Sequence, residues 1–162
     1  MTINGTYTTD CSAATYLYGS IINKGNLLVK GGGGSNTFLY APANVTLTGG
    51  GTVTLDTTAS GGGNAYLYPY NGSTLDNVDN TIQGEGIIYN NGTTLINRSG
   101  GTINANSTGS VHTTALQIQY GTVNNLGLME ATNNGNLQLY NTSVNNAGGN
   151  ITANGAGASV SV

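Results

Sequence analysis

The sequence has 162 residues, of which 6% are charged, with three basic and six acidic side chains and a net charge of −3. Ordinary soluble domains carry about 25% charged residues, and Lys24, Lys30 and Arg98 are too few and too scattered to grip a phosphate backbone, which excludes nucleic acid as a partner. No apolar run approaches the ~18 residues of a membrane span, and Met1-Thr2-Ile3-Asn4-Gly5 has neither the charged nor the apolar region of a signal peptide, so no membrane insertion is expected and a secretion signal would lie outside this stretch.

A glycine-rich polar chain invites the reading of disorder. The hydrophobic fraction of 37% argues against it, because its Val, Ile, Leu and Tyr suit pleated strands. In chain order, residues 1–20 read as a polar partial coil or thin cap, with Tyr16-Leu17-Tyr18 as a partial strand. Cys11 has no second cysteine to bond and reads as a small buried or incidental residue. Residues 21–162 then repeat one unit of three short apolar runs separated by Gly/Asn turns. First-strand anchors fall at Ile21, Val45, Leu75, Leu95, Val123 and Val144. Second-strand anchors fall at Leu27 or Val29, Val53, Ile82, Ile103, Leu128 and Ile151. Third-strand anchors fall at Leu39, Leu67, Ile88, Ile118, Leu139 and Val160.

The repeat length is uneven, and the unevenness is confined to the connection between second and third strands, where Gly31–Gly34 and Gly61–Gly63 sit. A solenoid tolerates insertions at one corner in this way. The expected fold is therefore all-β, a single parallel β-helix domain over 1–162, with about six triangular coils of three short strands. Each strand pairs with its equivalent one coil away, at ~4.8 Å, and only stacking creates a core. An antiparallel sandwich also fits short strands with frequent turns. It gives no reason for Asn to recur two places after the first-strand anchor, as Asn23, Asn77, Asn97, Asn125 and Asn146 do. In a solenoid these form an amide ladder at one corner.

The stretch Leu75-Asp76-Asn77-Val78-Asp79-Asn80-Thr81-Ile82-Gln83-Gly84-Glu85-Gly86-Ile87 resembles the repeats of large bacterial surface and secreted β-helix proteins, and Val123–Ala131 and Val144–Ala153 look like the same coil. Filamentous-haemagglutinin-like adhesins and autotransporter passenger domains are the families it is similar to, over most of the chain from about Val45. The resemblance implies a right-handed helix, a secreted or cell-surface location, and a structural or adhesive role with possible glycan or cell-surface partners. It transfers architecture better than ligand.

Some parallel β-helices degrade polysaccharides, which takes carboxylates on adjacent coils or acidic metal ligands beside a cation. The acids are Asp10, Asp56, Asp76, Asp79, Glu85 and Glu130. Asp76, Asp79 and Glu85 share one coil, where a weak calcium site competes with ordinary turn capping by Asp. Arg98 lies a coil away and Lys24 farther, so neither is expected to pair with them. The lone histidine, His112, reads as a solvated loop residue. The glycine runs lack the Lys-Ser/Thr ending of a phosphate loop. No enzyme activity, cofactor or metal is expected.

Ten tyrosines occur, many on third strands. With Leu17, Leu39 and Leu67 inside, alternation turns Tyr16, Tyr18, Tyr40, Tyr66, Tyr68, Tyr89 and Tyr140 outward. The expected aromatic surface is Tyr18, Tyr40, Tyr68, Tyr89 and Tyr140, either stacking to stabilise an uncharged sheet or forming a platform for sugars or a neighbouring filament. Tyr120 has the parity of inward Ile118, so it joins only if the strand bends. Outward Thr46/Thr48 and Thr52/Thr54 are too isolated for an ice-binding array. Val160 and Val162 close the sequence on strand-like residues without a capping element. This suggests either head-to-tail self-association into a filament or continuation into a longer β-helix.

Overall fold

The computed structural model describes residues 1–57, 61–106 and 115–162, and every regular element among them is a β-strand. The chain opens with β1 (Thr2–Ile3), β2 (Thr6–Thr9) and β3 (Ala14–Tyr16), followed by β4 (Gly19–Asn23), β5 (Asn26–Lys30) and β6 (Thr37–Ala41). Next come β7 (Val45–Thr48), β8 (Thr52–Asp56), β9 (Ala65–Pro69), β10 (Thr74–Asn77) and the long β11 (Thr81–Tyr89). Then β12 (Thr94–Asn97), β13 (Thr102–Ala105), β14 (Ala115–Gln119), β15 (Thr122–Asn125), β16 (Leu128–Ala131) and β17 (Asn136–Tyr140) lead to the final three. These are β18 (Ser143–Asn145), β19 (Asn150–Ala153) and β20 (Ser159–Ser161).

Every strand pairing is parallel. One sheet holds seven strands in the order β1-β4-β7-β10-β12-β15-β18, so each turn of the chain returns to the same sheet one strand farther along. A second runs through β2, β5, β8, β11, β13, β16 and β19, and a third through β3, β6, β9, β11, β14, β17 and β20. This is the all-β, all-parallel winding expected of a solenoid. The first sheet has one strand more than the six anchors read from sequence, because Thr2–Ile3 pairs with Ile22 and Asn23.

Alternation along the strands decides what is inside. Burial in β8, β10, β12 and β13 switches strictly between half-buried and buried, the period-two signature of a pleated strand with one face on a core. Leu75, Leu95 and Val123 stack in register and are fully buried, as are Val53, Ile82, Ile103 and Met129 in the second sheet; Met129 takes the inward place expected of Leu128, which is level with Thr102 and half-buried. Each such aliphatic side chain contributes about 1.5–3 kcal/mol relative to exposure. All of them join one hydrophobic cluster running the length of the stack.

One corner differs from the sequence reading, and a second shows how the uneven repeat is absorbed. Ile82 and Ile88 anchor a single strand, β11, because the connection between them is too short for a turn. Gly84 makes the bend at φ 103°, and a Cβ there would lie 2.1 Å from the Leu55 carbonyl oxygen. The glycine runs stack on one another: the Gly32 amide donates to the Gly63 carbonyl at 2.8 Å and the Gly34 amide to the Gly62 carbonyl at 2.9 Å. Extra residues at this corner thus extend the ladder of backbone hydrogen bonds.

Candidate functional site

Two ladders of like residues run along the stack, one buried and one facing solvent. The buried one follows the first sheet. Asn77, Asn97 and Asn125 lie in mutual register, and their carboxamides form a one-way chain. Asn77 Nδ2 donates to Asn97 Oδ1 at 2.9 Å, Asn97 Nδ2 to Asn125 Oδ1 at 2.8 Å, and Asn125 Nδ2 to Asn146 Oδ1 at 2.6 Å. Each donor nitrogen also holds a backbone carbonyl, of Asn80, Leu128 and Asn150 respectively. Asn77 and Asn97 are wholly inaccessible to solvent. Burial of an amide is tolerated only when its hydrogen bonds are made, and here the repeat makes them. Glycines roof the ladder: a Cβ at Gly101 would lie 2.5 Å from Asn97 Oδ1, and one at Gly149 2.5 Å from Asn125 Nδ2.

Asn23 does not occupy the ladder position. The register Gly19↔Val45 and Ile21↔Leu47 places Ile21 level with Asn77, and Asn23 sits two residues later. It reaches the ladder by another route, donating to Asn80 Oδ1 at 2.9 Å and to the Thr52 carbonyl at 2.7 Å. Tyr18 is displaced in the same sense. Tyr16, not Tyr18, is level with Tyr40, and Thr15 rather than Leu17 is level with Leu39. Tyr18 is exposed and has no ring partner among the described residues. A slip of two residues keeps inward side chains inward, so the hydrophobic pattern is blind to it.

The exposed ladder follows the third sheet. Ring centroids run Tyr16–Tyr40 at 5.1 Å, Tyr40–Tyr68 at 5.5 Å and Tyr68–Tyr89 at 4.8 Å. The column continues Tyr89–Tyr120 at 5.5 Å and Tyr120–Tyr140 at 5.8 Å. Phe38 and Tyr66 form a shorter parallel pair at 5.1 Å, and Tyr70 stands edge-on to Tyr40 and Tyr68. Tyr120 enters because the strand bends: its φ is +64°, and its amide donates to the Tyr140 carbonyl at 2.9 Å. Strand register puts Gln119 between Tyr89 and Tyr140, and the left-handed Tyr120 fills the gap that Gln119 leaves. That conformation costs a non-glycine residue roughly 1–2 kcal/mol, offset here by two ring contacts. Burial pushes the Tyr40 and Tyr68 phenols up from their ordinary range, and neighbouring tyrosines add to the effect.

The charged residues are placed differently from expectation. Arg98 does pair with an acid of the preceding level: Nε donates to Asp76 Oδ1 at 2.8 Å and Nη2 to Asp76 Oδ2 at 3.0 Å. Asp76 and Ile96 are register partners, so one level of separation along the stack is a short distance in space. Asp79 accepts from the Gly50 amide and from Asn80 Nδ2, both at 3.1 Å, which is turn chemistry. Lys30 approaches Asp10 at 3.9 Å. Among the described residues no three or more His, Cys, Asp or Glu side chains form a group that could hold a metal. His112 lies outside the described residues. Cys11 is exposed rather than buried, and its thiol donates to the Gly31 carbonyl at 3.3 Å.

Asn80 and Asn90 were not singled out in sequence, yet both are wholly buried. Asn90 Nδ2 donates to the Thr122 carbonyl at 2.8 Å, and its Oδ1 accepts from Thr93 Oγ1 at 2.5 Å. Its position just before the Asn91-Gly92 turn is the only sequence signal. At the far end Val160 pairs with Leu137 and is partly buried, while Val162 is fully exposed. Comparison with family models, curated proteins and solved structures finds no match to this chain.

Proposed function

We propose that this chain is a structural and adhesive β-solenoid module of a secreted or surface-displayed bacterial protein, wound as a right-handed helix of triangular coils. Seven strands in the first sheet support seven coils rather than about six, with β1, β2 and β3 completing the coil that sequence left partial. The observation that carries the reading is the division of labour between ladders. A buried, hydrogen-bonded amide corner stiffens the stack, and a continuous tyrosine column lies on a face whose strands expose no charged side chain. The proposed role is non-enzymatic and needs no cofactor. The test is attachment: beads coated with the chain should adhere to cells or polysaccharide surfaces, and Tyr40→Ala/Tyr68→Ala beads should adhere much less. Retention of neither would contradict an adhesive role, and equal retention of both would show that adhesion does not run through the tyrosine column.

A second reading is a filament subunit that stacks head to tail. It is favoured by edge strands paired on one side only and by Val144, Ile151 and Val160, which complete the core cluster from a partly open level. Such a heterologous contact does not close and would give fibres. Electron microscopy over a concentration series should then show uniform fibres that Val160→Lys abolishes. Short monodisperse particles at every concentration would remove this reading and leave continuation into a longer β-helix.

A further inference from the structure

We propose that the cleft between Tyr16, Tyr40, Tyr68 and Tyr70 binds an uncharged polysaccharide chain. This deepens the adhesive reading and rests on it. The cleft measures about 280 Å³ and, among the described residues, is lined by those four rings. That is near the lower end of ordinary ligand pockets, roughly 300 Å³, and suits one or two sugar rings of a longer chain better than an enclosed small molecule.

Three features select the ligand chemistry. First, β3, β6, β9, β14, β17 and β20 contain no charged residue, and Glu85 of β11 is buried, so these strands expose no charged side chain that would favour an anion or a cation. Second, the four phenol hydroxyls make no hydrogen bond among the described residues, while Tyr7 and the buried threonines do. Four free donor–acceptor groups beside an apolar floor match the alternating hydroxyl edges and C–H faces of a pyranose. Third, Tyr70 meets Tyr40 at 79° and Tyr68 at 61°. Tyr40 itself is stacked on Tyr16 at 5.1 Å and on Phe38 at 4.9 Å, whereas the edge-on Tyr70 is in no face-to-face stack among the described residues and so has a ring face to offer a sugar.

The cleft also opens onto a track. Beyond it the rings of Tyr89, Tyr120 and Tyr140 continue at steps of 4.8, 5.5 and 5.8 Å, close to the length of one unit in an extended β-linked glycan. Outward Gln117, Gln119 and Gln138 flank that track; Gln119 Nε2 donates to Gln117 Oε1 at 2.6 Å, and the Gln138 carboxamide makes no hydrogen bond among the described residues and is suited to vicinal hydroxyls. Successive weak contacts along one chain add through effective concentration, so affinity should depend on ligand length. A proline-rich peptide is the rival that also docks on aromatic grooves. The amide-lined continuation and the free hydroxyls favour the sugar.

The experiment titrates neutral β-linked glucan, xylan and mannan oligosaccharides of increasing length into the intact chain, following tyrosine fluorescence. Polygalacturonate and a polyproline peptide serve as controls. The expected result is binding to a neutral glycan that tightens with length and is insensitive to salt. It should weaken about tenfold or more in Tyr40→Ala/Tyr70→Ala, the equivalent of two lost ring contacts. Tyr40→Phe/Tyr70→Phe keeps the rings and removes hydroxyls. It should bind with intermediate affinity, and it serves as the test if the alanine variant loses its circular dichroism signal. No binding across the neutral panel, binding unchanged in both double variants, or tighter binding of either control would overturn the proposal. Surface attachment that survives without glycan binding would overturn this inference alone. Glycan binding without attachment would instead overturn the adhesive reading.

Discussion

The amide corner and the tyrosine face are built by the same device, a like residue returned to the same place at each turn of the chain, yet they end in opposite states. Asn97 is fully buried and its carboxamide makes every contact with protein. Tyr68, one sheet away, is half-buried and keeps a free hydroxyl. A ladder that closes on itself can only hold the stack together, because any loss leaves buried polar groups stranded. A ladder that faces water has chemistry to spare. The difference teaches that repetition alone does not mark a functional surface in a solenoid; unsatisfied repetition does.

The contrast breaks most visibly at Asn97. Replacing it with Ala removes three buried hydrogen bonds, leaving Asn125 Oδ1 and the Leu128 carbonyl without the Asn97 donor while Asn77 Nδ2 keeps only its bond to the Asn80 carbonyl. At about 1–3 kcal/mol per group left without its donor, urea denaturation should show a loss of at least about 2 kcal/mol. Asn146→Ala, at the exposed end of the same ladder, should cost under about 1 kcal/mol. Equal costs at the two positions would mean that the ladder is not continuous.

A smaller effect is expected from Tyr68→Ala. It removes ring contacts to Tyr40, Tyr70 and Tyr89, and thermal melting should report about 1 kcal/mol, with surface attachment falling far more than stability. The smallest effect is on pH dependence. The Tyr40 and Tyr68 phenols titrate higher in the folded chain than in the unfolded one. Their contribution is therefore complete below the ordinary tyrosine pKa of about 10 and is lost as pH rises through the folded values. A melting scan should show a downturn above about pH 10 that Tyr40→Phe/Tyr68→Phe reduces. A downturn unchanged in that variant would show that the face is no less hydrated than an unfolded chain.

Sequence reading reached the parallel stacking because both of its signals are periodic: apolar residues at every second position, and Asn and Tyr returning once per coil. It lost register where the period itself is ambiguous. Shifting Tyr18 for Tyr16, or Asn23 for Ile21, changes nothing about which side chains face inward, so no hydrophobic pattern can detect it. Tyr120 is different, because a one-residue offset does flip the face, so its parity alone requires a bend. Asn80 and Asn90 escaped because a buried turn Asn and a solvated one look alike in an Asn-rich chain. Arg98 and Asp76 look distant when separation is counted along the chain, yet one coil is only the spacing of neighbouring strands.

The most direct test of the buried ladder is hydrogen exchange of asparagine side-chain NH2 groups, followed by nuclear magnetic resonance on the isotopically labelled chain. The Asn97 carboxamide should exchange orders of magnitude more slowly than that of Asn146, which sits at the open end. If Asn97 exchanges as fast as Asn146, the corner is hydrated, and the separation between a scaffold ladder and a binding ladder is wrong.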